Sequence, residues 1–68
     1  MALRQRARND EDKLARRAAI LTEAGSLLGE HPYARITMAQ VAAGSGLAKG
    51  TLYLYFRSKE ELFLALLE

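Results

Sequence analysis

The chain has no cysteine and a single histidine, His31. Disulfide frameworks and zinc sites built from clustered ligands are therefore excluded by count, and the composition fits a reducing, cytosolic compartment. No apolar run approaches the roughly 20 residues that a membrane-spanning helix needs. The arginine-rich start has no apolar stretch behind it, so no signal peptide is read either. Strand-like alternation, internal repeats and low-complexity tracts are missing as well, which leaves one all-helical unit. At 68 residues, such a unit buries only about 60% of its unfolded surface, near the lower limit for a chain folding on its own core. The sequence stops at Leu66, Leu67 and Glu68 within an apolar run that no glycine, asparagine or proline closes. This reads as a module of something longer.

The net charge is +2 but is unevenly spread. Residues 1–17 hold six basic groups (Arg4, Arg6, Arg8, Lys13, Arg16, Arg17) against three acidic ones (Asp10, Glu11, Asp12). The rest of the chain is slightly acidic. Two readings of the basic start stay open: a solvated, unstructured terminus, or a mobile arm carrying Arg4, Arg6 and Arg8 into a DNA minor groove.

From about Lys13 to Gly29, Leu14, Ala18, Leu21, Ala24 and Leu28 recur at steps of three and four, with Ile20 and Leu27 widening the stripe. This predicts an amphipathic first helix. Asp10 to Asp12 are expected near its start, where carboxylates suit the helix dipole, and Gly29 and Pro32 mark its end. His31 is expected to be exposed in the exit turn. Thr37 with Gln40 matches a capping box that starts helix two at Met38, and Met38, Val41 and Ala42 supply its buried face. Gly44 and Gly46 are expected to end it, making a turn from Gly44 to Leu47. Helix three is predicted over 48–56, with Leu52 and Phe56 directed at the core. A second capping box, Ser58 with Glu61, starts helix four at Lys59, and Leu62, Phe63, Leu66 and Leu67 form its apolar stripe. This fourth helix is expected to run past the end of the sequence.

Once Leu52 and Phe56 point inward, Gly50, Thr51 and Leu54 occupy the opposite face of helix three, flanked by Lys49, Tyr53 and Tyr55. Such a surface suits a partner better than water. DNA fits the residue types: exposed helix-start amides can donate to phosphate, a threonine methyl and Leu54 can touch a thymine methyl, and Lys49 can reach a base edge. Tyrosine hydroxyls and Lys59 suit phosphate contacts, which orient a protein more than they specify sequence. Gly50 would be costly in a helix interior, by about 1 kcal/mol relative to Ala. In the first turn that cost falls, and the missing side chain lets a ligand approach.

Val41-Ala42, Gly46-Leu47-Ala48-Lys49-Gly50-Thr51-Leu52-Tyr53, Tyr55-Phe56, Ser58-Lys59-Glu60 and Leu62 together resemble the DNA-binding domain of the TetR family of transcriptional regulators. The likeness extends upstream through Ile20-Leu21, Ala24, Leu28 and Thr37, so it covers residues 18–68 and leaves 1–17 as the basic arm and start of helix one. It implies a homeodomain-like, three-helix helix-turn-helix domain plus the start of a fourth helix. The implied function is sequence-specific double-stranded DNA binding, with helix 48–56 as recognition helix and repression as the expected sign. It further implies a cytoplasmic homodimer reading a palindromic operator, with dimerisation and a small-molecule effector site in a C-terminal domain absent from this chain. No cofactor is implied. By match to the family pattern, Thr37, Ala48, Lys49, Gly50, Thr51, Tyr53, Leu54, Tyr55 and Lys59 form the DNA-facing set. Ala48 stands where the family often has serine, and Leu54 where a polar or aromatic residue is frequent. Gly25 and Pro32 replace the usual alanine and glycine.

Two rival readings are weaker. GSGLAKGT resembles a phosphate-binding P-loop, but Lys49 precedes Gly50, whereas that motif requires glycine, lysine, then serine or threonine. With no preceding strand, no cysteine and one histidine, an enzyme lacks its parts. A helical protein-interaction module is the stronger rival, although glycine, tyrosines and lysines interrupt the apolar stripe that a groove-docking helix would need.

Overall fold

The computed structural model describes the backbone of residues 2–68 and the side chains of residues 10–68. It contains α1 (Ala2–Glu30), a 3-10 turn (Tyr33–Arg35), α2 (Met38–Ser45), α3 (Lys49–Tyr55) and α4 (Lys59–Leu66), with no strand among the described residues. The all-α helix-turn-helix expectation therefore holds. α1 and α2 pack together, α4 closes over α1, and α3 leans on α2.

The first helix is longer than its apolar periodicity predicts. It starts at Ala2 rather than near Lys13, because residues 2–24 contain neither glycine nor proline and are rich in alanine, arginine and leucine, all strong helix formers. At 1.5 Å per residue, its 29 residues span about 43 Å. That rod accounts for the 46 Å long axis of the molecule. Asp10 to Asp12 consequently lie inside α1, whose first turn holds no acid. The side chains of Arg4, Arg6 and Arg8, assigned to a possible arm, lie outside the described residues.

The buried stripe of α1 is also narrower and shorter than expected. Ile20 and Ala24 are fully buried and Leu21 and Leu27 partly so, whereas Leu14, Ala18 and Leu28 are exposed. The core reaches α1 only from Ile20 onward, so the apolar positions before it have nothing to pack against. Ile36 joins from the loop, Met38, Val41 and Ala42 from α2, Leu52 and Phe56 from α3 and its exit, and Leu62 and Phe63 from α4. Leu67, expected in the α4 stripe, is 83% exposed because the helix ends at Leu66.

Local hydrogen bonds explain the element boundaries. Thr37 Oγ1 accepts from the Gln40 N–H at 3.1 Å, while Gln40 Oε1 accepts from the Thr37 N–H at 2.8 Å, completing the expected box. Gly44 does not end α2. It stays helical, and the stop is Gly46, at φ 72°, where the Leu47 N–H donates to Ala42 O at 2.9 Å. This six-to-one bond, with Leu47 packed against the core, closes the helix in the Schellman manner. The second box is altered. Ser58 Oγ accepts from the Glu61 N–H at 3.1 Å, but the Glu61 carboxylate accepts from the Arg57 N–H at 2.6 Å instead of returning to Ser58. With the Phe56 N–H bonded to Leu52 O at 3.0 Å, both backbone amides that open the α3–α4 link are held.

These features rank three substitutions in equilibrium urea unfolding. Thr37→Ala removes the cap and should cost about 1 kcal/mol. Gly46→Ala forces a side chain into left-handed backbone and should cost about 1–2 kcal/mol. Leu52→Ala empties a fully buried site and should cost about 2–5 kcal/mol. A Gly46→Ala variant as stable as the parent would show that the α2 stop does not depend on that backbone angle.

Candidate nucleic-acid interface

α3 is only seven residues long, and Ala48 before it provides no side-chain cap. Its first helical bond is instead Leu52 N–H to Ala48 O, at 3.1 Å. So short and uncapped a helix is marginal by itself, and tertiary anchoring must hold it. Leu52 is fully buried, and Phe56, at the helix exit, is 3% exposed. With those two side chains in the core, Lys49, Gly50, Tyr53 and Leu54 are turned out.

Ala48, Lys49, Gly50, Tyr53 and Leu54 are exposed, and Thr51 and Tyr55 are half-buried. Leu54 is 84% exposed, the highest value among the large apolar residues of the described chain. Around Gly50, a Cβ would meet nothing within 4 Å, so protein packing does not require glycine there. Tyr55 is less exposed than Tyr53. It packs partly against the core and borders a groove of about 480 Å³ between α1 and α3, lined by Lys13, Leu14, Arg17, Leu54 and Tyr55.

The two candidates outside α3 stand at helix starts. Thr37 is exposed at the start of α2, its hydroxyl oxygen already accepting from Gln40. Lys59 is the first residue of α4, a position where its charge opposes the helix dipole, although Glu60 and Glu61 follow it. Its ammonium sits 4.0 Å above the Tyr33 ring, and that ring meets Phe63 edge-on at 5.1 Å between centroids. The aromatic face thus gives Lys59 a cation–π partner that α4 itself does not offer.

Two contributors escaped the sequence reading. Tyr33 fell in a stretch read as plain loop, yet the 3-10 turn lays its ring under Lys59. An aromatic residue directly after proline and just before a capped helix was the available signal. Arg17 was counted only as part of a basic start, but its guanidinium lies 5.3 Å from the centroid of the Phe56 ring. Its spacing of three residues from Ile20 placed it on the inward stripe. His31 is exposed in the exit turn, as expected. No helix among the described residues is long and apolar enough to cross a membrane.

Comparison with known proteins places this geometry. The family model described as bacterial regulatory proteins, tetR family, matches residues 20–66. The chain is 43% identical over 53 residues to the HTH-type transcriptional regulator EthR of Mycobacterium tuberculosis, covering 78% of this chain and 24% of that protein. It is 40% identical over 58 residues to the nucleoid occlusion factor SlmA of Idiomarina loihiensis, covering 85% of this chain and 30% of the other. A fatty acid metabolism regulator protein of Bacillus subtilis is 34% identical over 47 residues, 69% of this chain and 24% of that one. The chain spans about a quarter of the length of these relatives. No solved structure matches it. Because the capped α2, the left-handed Gly46 and the outward face of α3 all fall inside the matched span, the chain belongs to the tetR family of bacterial regulatory proteins, which are DNA-binding transcription factors and not enzymes.

Proposed function

We propose that this chain is the DNA-reading head of a transcriptional regulator, with α3 entering the major groove of double-stranded DNA. The observation that carries the reading is the split of α3: Leu52 is fully buried, while Lys49, Gly50, Tyr53 and Leu54 are turned to solvent on the second helix of a helix-turn-helix. Lys49 and Thr51 meet base edges, and Leu54 offers methyl groups to a thymine methyl. Thr37, Tyr53, Tyr55 and Lys59 hold the sugar-phosphate backbone, with Ala48 and Gly50 allowing close approach. Arg4, Arg6 and Arg8 remain candidates for a minor-groove contact.

The relatives are about three times as long as this chain. In the whole protein, the remaining length carries a homodimer interface and a small-molecule effector site. The dimer reads a palindromic operator in the cytoplasm and represses transcription. The high exposure of Leu54 favours a second reading, a helix that docks on another protein. Salt separates the two, since duplex binding weakens steeply as counterions are released and an apolar contact does not.

Substitutions sort the roles. On a randomised duplex library, Lys49→Ala and Thr51→Ala should change which bases are preferred, by about 1–3 kcal/mol per lost base contact. Tyr55→Phe and Lys59→Ala should weaken all duplexes by similar factors. Unchanged base preference in both the Lys49 and Thr51 variants would remove α3 as the recognition helix.

Gly50→Ala offers a test with opposite signs. With open space for the new methyl group, thermal unfolding should show a stability gain of up to about 1 kcal/mol from better helix propensity. Duplex affinity should fall, because the same methyl group occupies the approach path. A variant that is more stable and binds equally well would place the DNA elsewhere.

A further inference from the structure

The stripe of α1 that faces the protein changes chemistry partway along the helix. Lys13, Arg17, Ile20, Ala24 and Leu27 follow one another at steps of four, three, four and three, with Arg16 one turn before Ile20, so all lie on one side of the helix. From Ile20 onward that side is apolar and reaches the core. Before Ile20 it is basic. Arg17 marks the change, its guanidinium 5.3 Å from the Phe56 ring centroid at the exit of α3.

Beyond Arg17 the basic side overhangs the C-terminal end of α3. Lys13, Leu14 and Arg17 form one wall of the groove of about 480 Å³ whose other wall is Leu54 and Tyr55. Lys13 and Arg16 meet Tyr55 again in an adjoining groove of about 210 Å³, which also includes the carboxylate of Asp12. Lys13 and Arg16 are exposed, and Leu14 and Leu54 are 67% and 84% exposed. The grooves are therefore apolar at the walls and cationic at the rim, with one acid among three bases. An anionic partner with apolar carbons between its charges fits that pattern, and a sugar-phosphate strand has that makeup.

We infer that Lys13 and Arg16 grip the DNA backbone beside the groove that α3 enters, making α1 a second phosphate contact outside the helix-turn-helix; this rests on the DNA reading of α3. Phosphate oxygens accept from the Lys13 ammonium and the Arg16 guanidinium. Deoxyribose carbons rest on Leu14 and Leu54. Arg17, held on Phe56, sets the helix at that height and contributes field more than contact.

The test compares the protein with its Lys13→Gln/Arg16→Gln double variant in fluorescence titrations of a duplex selected by the parent from a randomised library and of its scrambled counterpart, each across a salt series. Both residues are exposed, and matching thermal melts verify that the fold is kept. Each phosphate contact contributes about 0.9 to the slope of log affinity against log salt, so losing two flattens it by roughly 1.8. The parent's advantage should then shrink roughly tenfold between 50 and 200 mM salt, equally on both duplexes. Lys13→Arg/Arg16→Lys, which keeps both charges, should restore the parent slope. If the parent binds duplex DNA and the double variant shows the same slope and affinity, the α1 contact is refuted while the α3 reading survives. A parent that binds neither duplex would refute the α3 reading itself.

Discussion

Leu52 is the one buried residue within α3, and the seven-residue helix has no side-chain cap. Everything the helix presents therefore depends on how that side chain seats in the core it shares with α1, α2 and α4. A peptide of this length would not hold helical form in water. Burial supplies the missing stability, and Phe56 one turn later fixes rotation about the axis as well as position. A small core can hold so short a helix still because it takes hold of it at the middle and at the exit.

The same cluster sets how α1 is used. Its C-terminal part supplies Ile20 and Ala24 to the core, and its N-terminal part continues as helix without a core to cover. Chains usually fray where burial ends. Here the composition of residues 2–24 sustains the helix, and the side that would have been apolar becomes basic. Local propensity and tertiary packing thus govern different halves of one element.

Much of this was legible in the residues. Thr37 with Gln40 and Ser58 ahead of Glu61 announce helix starts because capping is local chemistry, confined to three or four residues. The inward pair Leu52 and Phe56 followed from periodicity. Errors arose where nonlocal facts decide. Leu14, Ala18 and Leu28 have the right spacing to be buried, but spacing cannot tell where the neighbouring helices end. Gly44 and Gly46 look alike as helix stops, yet the bond from Leu47 to Ala42 selects Gly46. The contacts of Lys59 with Tyr33 and of Arg17 with Phe56 join residues 26 and 39 positions apart, beyond the reach of any local pattern. For the residues proposed to face DNA, the types and most of the exposure were readable, whereas the half-buried state of Tyr55 depends on α1 lying beside it.

The link between α3 and α4 is three residues long, Phe56 to Ser58, and little of it is at liberty. Phe56 is seated in the core and its amide is tied back to Leu52, the Arg57 amide is held by the Glu61 carboxylate, and the Ser58 hydroxyl and carbonyl hold the first turn of α4. A joint pinned at each successive residue has almost no play. Tilting α4 by a few degrees would carry α3 with it, as a lever carries its tip, so the angle of the outward face is geared to the angle of α4.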